Sequence, residues 1–381
     1  MLKRSLLTTL LVCLALVIHP AAAHAAELGE ETTHLFQYHR GQDVLFMLML
    51  VAFLMLFIRR YEWGVALATL LVLSVSWPLY LIGHTQVLGH DLNIEAIILA
   101  LFASITLVIA IGVFLGHIST IHYLLAGALF VPAYMFNEWF LFDFLDGVYD
   151  AGGSVLVHMF AAYWGWGVIL ALRNKRVSDE PMKTSVHSVS FVWLASMLLF
   201  VLWPSFVTAL LPPEDIIPGM INTYLALMAA TLATYVLLYL LKRTIDPLIF
   251  TYAILAGGVA IGATVDLANP WQAWLIGLVG GIASTLSFIY INDWLCRKTG
   301  VLDTMGVQNL HGIPGIVGGL APILIVGAGL SQLGAVAGTF VIALATGVVT
   351  GLILRLFKPP AIMLDDAESF PIDTMRATDP A

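Results

Sequence analysis

From residue 43 to residue 355 the chain alternates between long apolar runs and short polar breaks. The runs lie near 43–58, 63–83, 93–116, 118–141, 152–172, 189–211, 221–242, 248–266, 271–293, 308–328 and 332–355. Each is close to the length of about 20 residues that a helix needs to cross a bilayer. The breaks carry the turn and charge signals: Arg59-Arg60, Asp91, Arg173 to Lys183, Pro212-Pro213, Lys242-Arg243, Asn269-Pro270 and Arg297-Lys298. The pattern predicts an all-α polytopic membrane protein with eleven transmembrane helices.

Composition agrees and adds the ends of the chain. Hydrophobic residues make up 60% and charged residues 10% of the 381 positions, whereas a soluble domain carries about 25% charged residues. Lys3 and Arg4 precede an apolar stretch from Leu6 to Ile18 and a small-residue cluster, Ala21 to Ala25. That order is the pattern of a secretory signal peptide, over 1–25. A short extracytoplasmic segment, 26–42, then leads into a transmembrane domain over 43–358. The net charge of -8 comes partly from the end of the chain, which holds Asp365, Asp366, Glu368, Asp373 and Asp379 against Arg376. Residues 359–381 therefore read as a disordered acidic cytoplasmic tail. With Cys13 in the leader, Cys296 is left alone, and no Cys/His spacing reads as a metal or cofactor site. No basic patch points to nucleic acid.

Basic residues set the expected orientation. Of the sixteen Lys and Arg, Lys3 and Arg4 lie in the leader and only Arg40 falls on the side of the mature N-terminus. The other thirteen fall in the opposite loops or after the last run. Positive residues mark the cytoplasmic side, so the N-terminus is expected outside and the C-terminus in the cytoplasm. Miscounting one helix would scramble this split.

Two segments share a pattern. Asp150-Ala-Gly-Gly-Ser-Val-Leu-Val-His158 opens the fifth run, and Asp303-Thr-Met-Gly-Val-Gln-Asn-Leu-His311 opens the tenth. Five runs, an odd number, separate them, so the copies point in opposite directions. This predicts a 5+5 inverted repeat plus one helix, with a site near the midplane. Eight residues rise about 12 Å along a helix, and half the hydrocarbon thickness is about 15 Å. His158 and His311 should therefore meet near the membrane centre, reached from opposite faces. A single buried His is usually a satisfied core residue. Two at equivalent depth, where an ionisable group is costly, read as functional. Asp150 and Asp303 are expected to cap the half-helices by accepting backbone N–H bonds.

The same residues carry a family resemblance. "DAGGSVLVHMFAAYWG" from Asp150 and "DTMGVQNLHGIPGIVGG" from Asp303 resemble the fifth- and tenth-helix motifs of Rh proteins in the ammonium transporter (Amt/Rh) family. Asn137-Glu138, "WPSF" at Trp203–Phe206, "INTY" at Ile221–Tyr224 and "LAGGVAIGA" at Leu255–Ala263 match in order. The resemblance implies a homotrimer in the membrane lipid, most simply a bacterial inner membrane, with one ammonia-conducting pore per subunit and no enzymatic activity. It implies that His158 and His311 are twin pore histidines, that Phe206 is one of two gate phenylalanines, that Glu138 lies in the outer vestibule, and that Asp150 caps the fifth helix. One position departs: the second gate position falls at Ile111, with Phe114 three residues on.

The residues also support a chemical argument independent of the resemblance. Bare ammonium in a dry pore carries an unpaired charge, which is expensive. Neutral ammonia needs only hydrogen-bond partners, and two imidazoles offer both donor and acceptor. Glu138 could first enrich the cation. Channels for carbon dioxide, methylamine or urea, and an ammonium sensor, are the alternatives at this stage.

Overall fold

The computed structural model describes residues 32–56, 61–173, 184–360 and 365–370. Among them the regular structure is helical. The long segments are α1 (32–54), α2 (Trp63–Val87), α3 (Ile94–Ile111), α4 (Thr120–Phe144), α5 (Ser154–Leu172), α6 (Val186–Val207), α7 (Pro213–Lys242), α8 (Pro247–Thr264), α9 (Pro270–Thr299), α10 (Gln308–Gly312 running into Ile313–Ile325) and α11 (Leu330–Leu356). Nine of the described helices, α2 to α9 and α11, are long and apolar enough to cross a membrane. Helices α1 and α10 complete an alternation of eleven.

Cross-links between helix ends show which ends share a face. At one end, Gly152 N–H donates to Gly262 O at 2.8 Å, joining the start of α5 to the end of α8. Arg40 Nε donates to Thr208 Oγ1 there, and Tyr149 N–H to Gln332 Oε1 at 2.8 Å. At the other end, Thr304 and Met305 N–H donate to the carbonyls of Val113 and Gly112, joining the start of α10 to the end of α3. Tyr252 Oη donates to Leu54 O, and Arg355 to Ala171 O. These are called the Asp150 end and the Asp303 end. The alternation puts α5 and α10 head to head, as an inverted repeat requires.

Helices α5 and α11 share the most extensive seam. Gly347 and Gly351 on α11 lie directly against the backbone of Trp164 and Val168 on α5. Without a hydrophobic driving force between helices in lipid, small residues hold a bundle together by letting backbones approach. This seam fixes α5, the most deeply buried of the long helices.

Two boundaries differ from the expectation, for physical reasons. The first helix begins at or before residue 32, not near 43. Hydropathy marks an apolar run, but the helix continues through polar positions that find partners. Ser205 Oγ donates to Asp43 Oδ2 at 2.6 Å, while Arg40 reaches Thr208. The acidic tail is also not structureless throughout. Residues Asp366–Ser369 form a short helix, α12. The Asp366 carboxylate accepts N–H bonds from Glu62 and Trp63, each 2.6 Å, and from Gly64 at 3.0 Å. Glu62, at the N-cap of α2, makes no side-chain cap of its own, so a carboxylate from the far end of the chain supplies it. The leader over 1–25 lies outside the described residues.

Candidate functional site

The two half-helices begin with one device used twice. Asp150 accepts N–H bonds from Val155 on both oxygens, at 3.0 and 3.1 Å, and from Leu156 at 2.7 Å. Asp303 accepts from Val307 at 3.0 Å and Gln308 at 2.9 Å, and Trp166 Nε1 reaches it at 3.3 Å. Three residues after each Asp stands a glycine with positive φ, Gly153 at 76° and Gly306 at 66°. A residue with a Cβ is strained there, so the chain turns sharply into the helix only at glycine. The amide of each glycine donates to the carbonyl of its Asp.

The turns that follow are π-helical, Ser154–Met159 and Gln308–Gly312, and each contains its histidine. A π turn is a wider coil than the α-helix and is frequent at functional sites. Here it occurs at matching places in both repeats. Ser154 Oγ ties the first turn down by donating to Val259 O at 2.7 Å and accepting from Ala263 N–H at 2.9 Å. Helix α8 is itself interrupted at that level, changing from Ala256–Ile261 to a 3-10 turn, Gly262–Thr264.

His158 and His311 meet. Their Nδ1 atoms are 3.1 Å apart, their ring planes are 17° from parallel, and their centroids are 5.2 Å apart. With so short a contact between nitrogens, that centroid separation puts the rings side by side in nearly one plane, not face to face. Both are buried, with 2% and 8% of their surface exposed. One Nδ1 must donate and the other accept. The donor ring then has a bare Nε2, and the acceptor ring carries Nε2–H. The pair thus presents one acceptor and one donor on its outer edges. The Nε2 of His158 has no partner within the protein, so it is free for a guest.

Apolar groups close the pair on both sides. Toward the Asp150 end, the Phe206 ring lies 5.7 Å from the His158 ring and 4.7 Å from Phe102. The Trp203 indole lies nearly parallel to the imidazole of His158, 5.6 Å away. Toward the Asp303 end, His311 borders a cavity of about 30 Å³ walled by Val51, Val108, Ile109, Met305 and Leu310. Both phenylalanines are buried.

The remaining residues singled out from sequence lie elsewhere. Glu138, near the Asp150 end of α4, accepts the Tyr80 hydroxyl at 2.7 Å and has no hydrogen bond to either histidine. The Asp150 oxygens are both taken up by backbone N–H groups. Ile111 does not stand beside Phe206; it ends α3 next to the residues that bind the start of α10. Nine residues of helix, about 13 Å, separate it from Phe102, which occupies the place beside Phe206. Phe114 packs against Trp164 instead. Phe102 was findable: it lies eight residues into α3 from the Asp150 end, the same count that separates His158 from Asp150. Trp203 was also findable, three residues before Phe206 on the same face of α6. His117, in the α3–α4 connection, is wholly buried, and burial pushes its imidazole down to about 3. Among the described residues no three His, Cys, Asp or Glu side chains gather to hold a metal.

Comparison with known proteins fits this geometry. The model of the Ammonium Transporter Family matches residues 5–376. The mouse protein "Ammonium transporter Rh type A" is 33% identical over 363 residues, 90% of this chain and 83% of that protein. The bovine "Ammonium transporter Rh type C" is 34% identical over 303 residues, 76% of this chain and 66% of that protein. Among solved structures, Rh50 of Nitrosomonas europaea, described as a channel of the Rhesus protein family, is 37% identical with a TM-score of 0.87, covering 91% of this chain and 96% of that one. A "Sensor Amt Protein" shares the fold at a TM-score of 0.75 and 20% identity, covering 90% and 97%. On its sequence and its fold, the chain belongs to the ammonium transporter family.

Proposed function

We propose that this protein passes ammonia, taken from ammonium, through a narrow apolar passage inside each subunit. The observation that carries the reading is the His158–His311 pair, bonded Nδ1 to Nδ1 at 3.1 Å between a double phenylalanine closure and an apolar cavity. A cation crossing that stretch would lose its hydration with no counter-charge in reach. A neutral molecule with donors and an acceptor loses far less, because the outer edges of the imidazole pair replace part of its water. The relatives named above are ammonium transporters, and an apolar wall with one donor and one acceptor on the imidazole pair suits that cargo.

The other residues take supporting roles in this reading. Phe102 and Phe206 are the constriction that strips water. Trp203 holds the ring of His158 in plane. Glu138 and its neighbours raise the local concentration of ammonium at the mouth. Asp150 and Asp303 position the two histidines through the helix starts and do not touch the cargo. The path lies within one chain, so a homotrimer would carry three independent passages.

Reconstituted vesicles test the transport. An inward ammonium gradient should alkalinise the lumen faster with the protein than without it, since ammonia enters and binds a proton inside. Urea, methylamine and carbon dioxide serve as comparison solutes. A rate equal to that of protein-free vesicles overturns the reading.

The Asp303 end is the cytoplasmic one in this reading, in the inner membrane of a bacterium. It holds Arg173, Lys242, Arg243, Arg297, Lys298, Arg355 and Lys358, whereas Arg40 is at the other end. Alkaline phosphatase fused after residue 381, active only outside the cytoplasm, should stay silent. An active fusion would reverse the assignment.

A further inference from the structure

We propose that the corner between the C-terminal ends of α5, α9 and α11 binds the headgroup of an anionic phospholipid. A cavity of about 610 Å³ opens there, with Arg173 from the end of α5 and Arg355 from the end of α11 on its wall. Among the described residues neither guanidinium is paired with a carboxylate. Arg355 spends one nitrogen on Ala171 O at 3.3 Å, and its other donors remain available. Two guanidiniums in one cavity suit a phosphate, whose oxygens accept their paired N–H groups in a bidentate fork.

The rest of the wall points to a lipid rather than a free ion. Leu170, Val348 and Leu352 line the cavity beside the arginines. From there an uncovered apolar stripe runs along α11 through Val349 and Val341, with Leu356 on the other side of Leu352. The steps between Val349, Leu352 and Leu356 are three and four residues, so these side chains share one face of the helix. An acyl chain can lie along that face while its phosphate stays at the corner. The α5–α11 seam cannot open to admit the chain, because Gly347 and Gly351 press on the α5 backbone.

Three helix C-termini converge near this corner, and their carbonyls disfavour an anion. Their partial charges are about half a unit each, and Arg355 already answers one of them. Two full positive charges outweigh what remains. Two other large cavities among the described residues lack the combination. One of about 910 Å³ between the N-termini of α6 and α8 has Asp246 as its charged group. A groove of about 580 Å³ among α1, α2 and α3 has no charged residue.

The test is native mass spectrometry of the full-length protein equilibrated with equal amounts of phosphatidylglycerol and phosphatidylcholine. Wild type should retain phosphatidylglycerol preferentially. Each basic residue near an anionic surface contributes enough that Arg355→Gln should bind it about fivefold more weakly, and the Arg173→Gln/Arg355→Gln pair roughly 25-fold more weakly. Arg355→Lys should keep most of the binding. Lys242→Gln/Arg243→Gln, at the same end but away from the cavity, should stay close to wild type, which separates this site from general attraction to the surface. Both target arginines are exposed, so the variants should fold; if the double variant does not, the single variants and the wild-type lipid preference still decide. Unchanged retention in the arginine variants overturns the proposal. Equal loss in the control variant also overturns it. Displacement of the lipid by millimolar inorganic phosphate would assign the corner to a soluble anion instead.

Discussion

Ammonia flux through the His158→Ala or the His311→Ala protein is expected to fall by one to two orders of magnitude. Each ring is the hydrogen-bond partner of the other, at 3.1 Å in a buried setting. Removing one leaves its mate unpaired and takes away half of the polar surface that replaces the guest's water. An unsatisfied buried polar group costs about 1–3 kcal/mol, and each 1.4 kcal/mol on a barrier is about tenfold in rate. The fold should survive, because Asp150, Asp303 and the two glycine turns hold the helix starts without help from the imidazoles. His158→Asp separates this role from plain packing. A carboxylate at that depth supplies the counter-charge that a cation lacks, so the variant should carry an ammonium current that the wild type excludes. Stopped-flow alkalinisation and membrane-supported current recordings would measure the two effects. If the double alanine variant conducts like wild type, the pair is not on the path.

Gly347→Val should abolish recovery of folded protein. A Cβ at this position would collide with the Trp164 carbonyl on α5. The obstacle is backbone on both sides, so no side-chain rotation relieves it, and α11 must move off α5. Overpacking in a core costs about 1–3 kcal/mol. A backbone collision at so close a seam belongs among the larger values, above about 4 kcal/mol. The displacement would reach the site, since α5 carries His158. Gly329→Ala is the control. It has open space around its Cβ position and an ordinary φ of -84°, so its effect should be within about 0.5 kcal/mol. Fluorescence-detected size exclusion with a thermal series would compare them. A Gly347→Val protein with wild-type elution and melting would overturn this account of the seam.

The amino-acid sequence alone determined how many times the chain crosses, the opposed senses of α5 and α10, and the meeting of two histidines. These follow from local quantities: apolar run length against bilayer thickness, parity of the crossings, and residue count against helix rise. The Asp-x-x-Gly starts of both half-helices belong to the same class, since a cap and a positive φ are demands of a few neighbouring residues. Tertiary structure alone decided the rest. Phe102, not Ile111, stands beside Phe206, because the partner of a side chain depends on depth along two helices and motif alignment slid by nine residues in an apolar stretch without landmarks. The first helix runs on to residue 32 because Arg40 and Asp43 find Thr208 and Ser205, more than 160 residues away, where hydropathy sees only polar positions. Asp366 is held by the start of α2, although its surroundings in sequence are those of a solvated tail. A carboxylate's fate depends on whether unpaired N–H groups lie within reach, and only the folded chain brings them there.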